Sequence, residues 1–265
     1  MPIIQIERAT KDYGGDRGVF DLTFAVSQGE AVGFLGANGA GKSVTMRMLM
    51  GFVRPQAGRV SIKSLDCFEQ RARIQRSVGY LPGELAFSDG MTGADFLRFS
   101  ASMKGLGHRS GTGSPRYGTD RADELVDYFE LNPKAPLRSM SKGTRQKVGI
   151  VAAFMGSPEV LLLDEPTSGL DLLMQRRFVE LIQAEKARGT TILLSSHLLG
   201  EVEGICDRAV FIRRGRKVNE MPSGQITLQG VLEELYGPEA LQRRWVEPSN
   251  GQPTPAMKEN GAASW

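Results

Sequence analysis

Apolar and polar positions change period several times along this chain. Residues 3–7 alternate apolar and polar, the pattern of an edge or half-buried strand. Residues 19–26 offer a second strand, and 31–35 a short, continuously apolar third. That third strand runs into a glycine-rich segment, 36–41, beyond which 44–50 has helical character. Short strands are predicted over 59–62 and 77–81, and amphipathic helices over 94–103 and 121–131. Further on, a helix is expected to start near Ser141, a buried strand at 160–163, a helix at 173–187 and another buried strand at 190–195. Residues 210–212 and 217–218 predict a hairpin turning at Arg214-Gly215.

Strands alternating with helices imply an α/β fold with a largely parallel sheet covered on both faces. The mostly helical stretch from about 84 to 153 interrupts that alternation and reads as a helical subdomain inserted into a main domain of residues 1–220. Within it, the glycine- and serine-rich stretch 105–118 predicts an exposed loop, with His108 and Tyr117 as solvated loop residues. Residues 221–246 read as a short helical extension, with Val231, Leu232, Leu235 and Tyr236 at helical spacing. The polar, proline-bearing stretch 247–265 predicts a disordered tail.

Composition narrows the function classes. The chain has 265 residues, 40% hydrophobic and 24% charged, enough to bury a core without disulfide or metal support. A net charge of +3 is too small to point to nucleic acid, and no nucleic-acid partner is expected. The two cysteines, Cys67 and Cys206, lack metal-ligand spacing and read as small buried apolar residues in a reducing compartment. No apolar run approaches the ~18 residues of a membrane span, and the N-terminus begins as a strand without a signal-peptide pattern. Any membrane duty would then be carried out from the cytosolic side, through a partner.

The chemistry-bearing signal is Gly36-Ala37-Asn38-Gly39-Ala40-Gly41-Lys42-Ser43, a Gly-x4-Gly-Lys-Ser phosphate loop between a predicted strand and helix. Its glycines let backbone N–H groups surround phosphate oxygens, and the helix offers its N-terminus to the same anions. Lys42 suits the β- and γ-phosphates and Ser43 a Mg²⁺ ion. Asp164 and Glu165 follow the buried strand 160–163 at its carboxyl end, where open α/β sheets bind ligands. Asp164 suits a second Mg²⁺ ligand, and Glu165 the residue that orients the attacking water.

Together with three further motifs, these residues make the sequence resemble, over 3–218, the ATP-binding subunit of ABC transporters, most like the export type with a separate permease. Ser141-Lys142-Gly143-Thr144-Arg145-Gln146-Lys147 resembles the ABC signature, Ser168-Gly169-Leu170-Asp171 the D-loop, and His197 the switch histidine. Tyr13 stands where the family stacks a ring on adenine, and Val44 where it usually has a hydroxyl near the α-phosphate. The resemblance implies a P-loop NTPase fold of ABC type: a mixed-sheet core, an inserted helical subdomain and an N-terminal antiparallel β portion. It implies ATP and Mg²⁺ as cofactors and a second ATP-binding subunit, whose nucleotide meets Ser141, Lys142 and Gly143. It also implies a permease docked beside residues 83–91, with Phe87 and Met91 as candidate contacts, and a place on the inner face of the cell membrane.

Three departures stand out. Gly83 occupies the place of a family glutamine near Mg²⁺, with Glu84 one residue later. Val44 lacks the hydroxyl, with Thr45 one place on. The accessory C-terminal domain of many export subunits is expected to be shortened or absent. A degenerate nucleotide-binding partner and a soluble, non-transport ABC ATPase remain as competing readings.

Overall fold

The computed structural model describes residues 1–86, 90–106, 115–197, 202 and 204–237. Phe87, His108 and the stretch 247–265 lie outside the described residues. Strands β1 (Pro2–Asp12), β2 (Gly18–Ser27), β4 (Ala57–Ile62) and β5 (Leu65–Asp66) form a four-stranded antiparallel sheet in the order β2-β1-β4-β5. The remaining strands are β3 (Ala31–Leu35), β6 (Val78–Leu81), β7 (Val160–Asp164), β8 (Thr191–Ser196), β9 (Arg208–Arg213) and β10 (Arg216–Pro222). They build a six-stranded sheet in the order β10-β9-β3-β8-β7-β6, parallel throughout except for β10 against β9.

The unbroken apolar character of β3, β7 and β8 follows from burial on both faces. Because side chains alternate along a strand, each of the three feeds two cores. Val32, Phe34, Leu162 and Leu193 join the cluster shared with the antiparallel sheet and helix α1 (Lys42–Leu49). Ala31, Leu35, Leu161, Leu163 and Leu194 join the cluster facing the helical insertion. β1 is longer than the alternation over 3–7 predicts, since it pairs with β2 on one side and β4 on the other, with register shifts that absorb the irregular positions.

After helix α2 (Arg71–Ser77) and β6, the chain runs through α3 (Gly93–Met103), α4 (Asp120–Tyr128) and α5 (Lys142–Phe154) before returning as β7. Thr92, Thr119 and Ser141 cap these helices with their side-chain oxygens. Helix α4 stops at Tyr128, short of the predicted 131, where Glu130 turns to φ 49. Helix α6 (Leu172–Ala187) lies between β7 and β8, and α7 (Leu228–Tyr236) closes the described chain.

One expectation changes. Tyr117 is buried at 7% exposure rather than solvated: its N–H donates to Asp123 Oδ1 at 2.9 Å, and the Arg116 guanidinium lies 5.3 Å from its ring centre. Met91 packs against the helical-side core. Cys67 and Cys206 are buried as expected, and burial pushes both thiols up to about 12.

Candidate nucleotide-binding site

Strand register gathers the site. β3 and β8 pair so that Leu35 faces Ser196, and β7 and β8 so that Asp164 faces Ser195. The segments leaving the carboxyl ends of these strands therefore emerge at one edge of the sheet: the phosphate loop, His197, and Glu165 with the turn behind it. That edge is where an open α/β sheet binds its ligand.

The loop is held from outside. Gly41 starts α1 at φ 109, and a methyl group there would stand 2.8 Å from Gly18 O. Ala40 O accepts a hydrogen bond from Gly215 N at 2.9 Å, in the β9–β10 turn. At the tip, Gly39 has φ 78 and an added Cβ would meet nothing within 4 Å, so the tip faces open space. Ser43 is exposed on the first turn of α1, and Val44 packs against the core. Thr45 does not replace the missing hydroxyl, because it is buried and its Oγ1 donates back to Gly41 O at 3.0 Å.

Lys42 is 6% exposed, and its Nζ donates to Gly36 O at 2.6 Å and Ala37 O at 3.3 Å. The same nitrogen lies 3.1 Å from Glu165 Oε1, an ion contact out of line for a hydrogen bond. Glu165 Oε2 lies 2.7 Å from His197 Nδ1. Ammonium, carboxylate and imidazole thus form one chain of contacts across the ends of three strands. Glu165 adopts φ 49, a backbone conformation costly for a side-chain-bearing residue, and its N–H is anchored to Ser195 O at 3.1 Å and Ser195 Oγ at 3.2 Å.

Asp164 is 2% exposed, with Oδ1 accepting from Ser195 Oγ. A Cβ at Gly83 would come 3.3 Å from Asp164 Oδ2, so the glycine lets the main chain pass close to that carboxylate. Asp164 and Ser43 offer hard oxygen donors of the kind Mg²⁺ takes alongside phosphate oxygens. Among the described residues no group of three or more His, Cys, Asp or Glu gathers for a metal, and Mg²⁺ held partly by phosphates needs none.

The start of α5 is joined to the segment between β7 and α6. Ser141 caps α5 through Thr144 N, and Lys142 Nζ donates to Ser168 Oγ at 2.7 Å. Gly143 abuts Gly169 O, where an added Cβ would sit 2.3 Å away. Gln146, buried at 4%, donates to Glu165 O at 3.2 Å and Pro166 O at 2.8 Å. Asp171 caps α6 by accepting from Met174 N at 2.9 Å. Tyr13 is half-exposed beside Lys11, whose Nζ lies 5.5 Å from the ring centre. It does not line the cavity beside the loop tip, which Asp16 of the same connection does. Ser195 and Gln146 make supporting hydrogen bonds that no motif assigns: Ser195 to the Asp164 carboxylate, and Gln146, inside the signature segment, to the main-chain carbonyls of Glu165 and Pro166.

The family profile for the ABC transporter matches residues 19–168. The chain belongs to the ABC transporter family. The ABC transporter ATP-binding protein NatA of Bacillus subtilis is 34% identical to this ABC protein over 223 residues, 83% of this chain and 84% of NatA. The linearmycin resistance ATP-binding protein LnrL of Bacillus subtilis is 32% identical over 218 residues, 82% of this chain and 68% of LnrL. A solved ATP-binding subunit of an ABC transporter has 28% identity and a TM-score of 0.76, covering 88% of this chain and 98% of that one. This ABC protein is thus an ATP-binding and ATP-hydrolysing subunit that energises transport. No helix among its described residues is long and apolar enough to cross a membrane.

Proposed function

We propose that this chain powers export through a separate transmembrane permease, as a face-to-face pair of ATP-binding subunits on the inner face of the cell membrane. The observation that carries the hydrolytic core of this reading is the contact chain Lys42–Glu165–His197 beside the phosphate loop. ATP with Mg²⁺ supplies the phosphoanhydride that is split. Lys42 would neutralise phosphate charge and Ser43 and Asp164 would hold the ion, while Glu165, its carboxylate fixed by His197, accepts a proton from the attacking water. The exposed start of α5 suits the nucleotide of a facing subunit, because a capped helix N-terminus favours an anion. Export draws support from the Nod factor export ATP-binding protein I of Ralstonia nicotianae, 31% identical over 243 residues.

The permease fits a groove of about 670 Å³ beside β6 and α3, whose lining includes Phe52, Tyr80, Leu85, Phe99 and Met103. The half-exposed Phe52, Phe99 and Met103 give it an apolar floor for a partner segment.

Steady-state ATPase activity of the purified chain with Mg²⁺, at rising protein concentration, tests the core of this reading. Turnover per chain is expected to rise with concentration and to fall about 100-fold or more in Glu165→Gln and Lys42→Ala. Tight ATP binding with no turnover at any concentration would favour the degenerate-partner reading. With the permease present, cargo accumulating in inside-out vesicles on adding ATP reports export, and cargo leaving them reports import.

A further inference from the structure

Positive charge is concentrated in one part of this chain. Between residues 45 and 83 the sequence has seven Lys and Arg against two Asp and Glu, a larger balance than the +3 of the whole protein, so the remainder is net acidic. We propose that the exposed face of α2, with Arg54 and Phe52 beside it, binds the anionic headgroups of phospholipids at the membrane surface. The proposal rests on the reading that the neighbouring groove holds a membrane permease.

The fold holds these cations on one fixed patch. Gln75 Nε2 donates to Met50 O at 3.0 Å, which ties α2 to the end of α1. Gly51 lets the two elements close up, since an added Cβ there would stand 2.2 Å from Cys67 O and 2.6 Å from Arg71 Cβ. Ile74 anchors α2 in the core, while Arg71, Arg73 and Arg76 are exposed. The guanidinium carbons of Arg54 and Arg71 each lie 5.3 Å from the ring centre of Phe68, which gathers both cations at one ring. Arg54 also meets Glu69 at 3.1 Å, an exposed pair that water screens. Among the described residues the guanidiniums of Arg47, Arg73 and Arg76 form no ion pair or hydrogen bond. Unanswered guanidiniums held side by side suit a surface of phosphodiesters.

The spread of the patch favours a lipid surface over a protein segment. Arg47, Phe52 and Arg76 line the groove beside β6, but Arg54 and Phe68 line a separate depression. A segment seated in the groove would leave Arg54, Arg71 and Arg73 outside it, on the flank of the permease, where headgroups are the available anions. Phe52 is 53% exposed, an apolar ring of the kind that settles among headgroups beside basic residues.

Co-sedimentation of the full chain with vesicles, without permease or nucleotide, tests this. Retention is expected on vesicles of equal parts phosphatidylglycerol and phosphatidylcholine and not on phosphatidylcholine alone. It should fall steeply between ~0.1 M and ~0.5 M salt. The triple variant Arg54→Gln, Arg71→Gln, Arg73→Gln lies outside the groove lining and is expected to bind at least about tenfold more weakly, with ATPase activity in solution unchanged. Lysine at the same three positions should keep most of the binding, because the charge is kept. No retention on the anionic vesicles, or equal retention of the glutamine variant, would overturn the proposal. Equally tight binding of a DNA duplex at the same salt would overturn the choice of lipid. Vesicle binding is read without permease and ATP hydrolysis without vesicles, so failure of the lipid surface is told apart from failure of the transport reading.

Discussion

A methyl group on Gly143 would stand 2.3 Å from the carbonyl oxygen of Gly169, which places the first turn of α5 directly on the backbone of the loop before α6. Only glycine allows that approach. Gly143→Ala is therefore expected to push the two segments apart and lower stability by about 1–3 kcal/mol. Binding of ATP to the phosphate loop should survive, because Lys42 and its neighbours lie on other elements, while turnover should drop at least about tenfold. Thermal melts alongside ATPase rates check this, and normal turnover in a stably folded variant would refute it.

Ser195 holds the Asp164 carboxylate and the Glu165 backbone at once, its hydroxyl donating to Asp164 Oδ1 and accepting from Glu165 N. Ser195→Ala leaves a 2% exposed carboxylate short of a donor and is expected to cost about 1–3 kcal/mol of stability. Loss of aim at Asp164 and Glu165 should lower kcat about tenfold with less effect on ATP affinity. Ser195→Thr, which retains the hydroxyl, should recover much of the rate; equal rates in all three proteins would rule out the support.

Lys104 lies along the apolar groove beside α3, with Arg47, Arg76 and Glu84 as the other charged residues there. Burial pulls its ammonium down to about 8 from the ordinary 10.5, and among the described residues Nζ donates to Val78 O, at 3.3 Å. The folded value lies below the unfolded one, so across about pH 8 to 10.5 the unfolded chain holds more protons and stability rises with pH. Lys104→Met removes the buried charge and is expected to stabilise the protein by on the order of 1 kcal/mol at pH 7. The gap between variant and unaltered chain should narrow toward pH 10. Melting curves at the two pH values decide it, and a gap that widens with pH contradicts the assignment.

Where a local pattern and its tertiary setting agree, the chain was readable from its residues. The continuously apolar 31–35 and 160–163 became β3 and β7, buried on both faces, and the motifs at their ends met as Lys42 and Glu165. Tyr117 was not readable, because its stretch is rich in glycine and serine and its burial depends on Asp123 in the following helix. Ser195 was visible only as the end of a strand, since its partner Asp164 lies 31 residues away along the chain. Tyr13 was placed only by its position before β2; its half-exposed ring lies beside Lys11.

The shared register of β3, β8 and β7 makes strand length a stricter requirement than strand composition. Leucine, isoleucine and valine within these strands can exchange at modest cost, since each core needs volume more than identity. One residue inserted into β8 would instead turn every later side chain to the opposite face, carrying Ser195 away from Asp164 and putting a neighbour in its place. Such a change would unseat loop, carboxylates and histidine relative to one another without altering any of them.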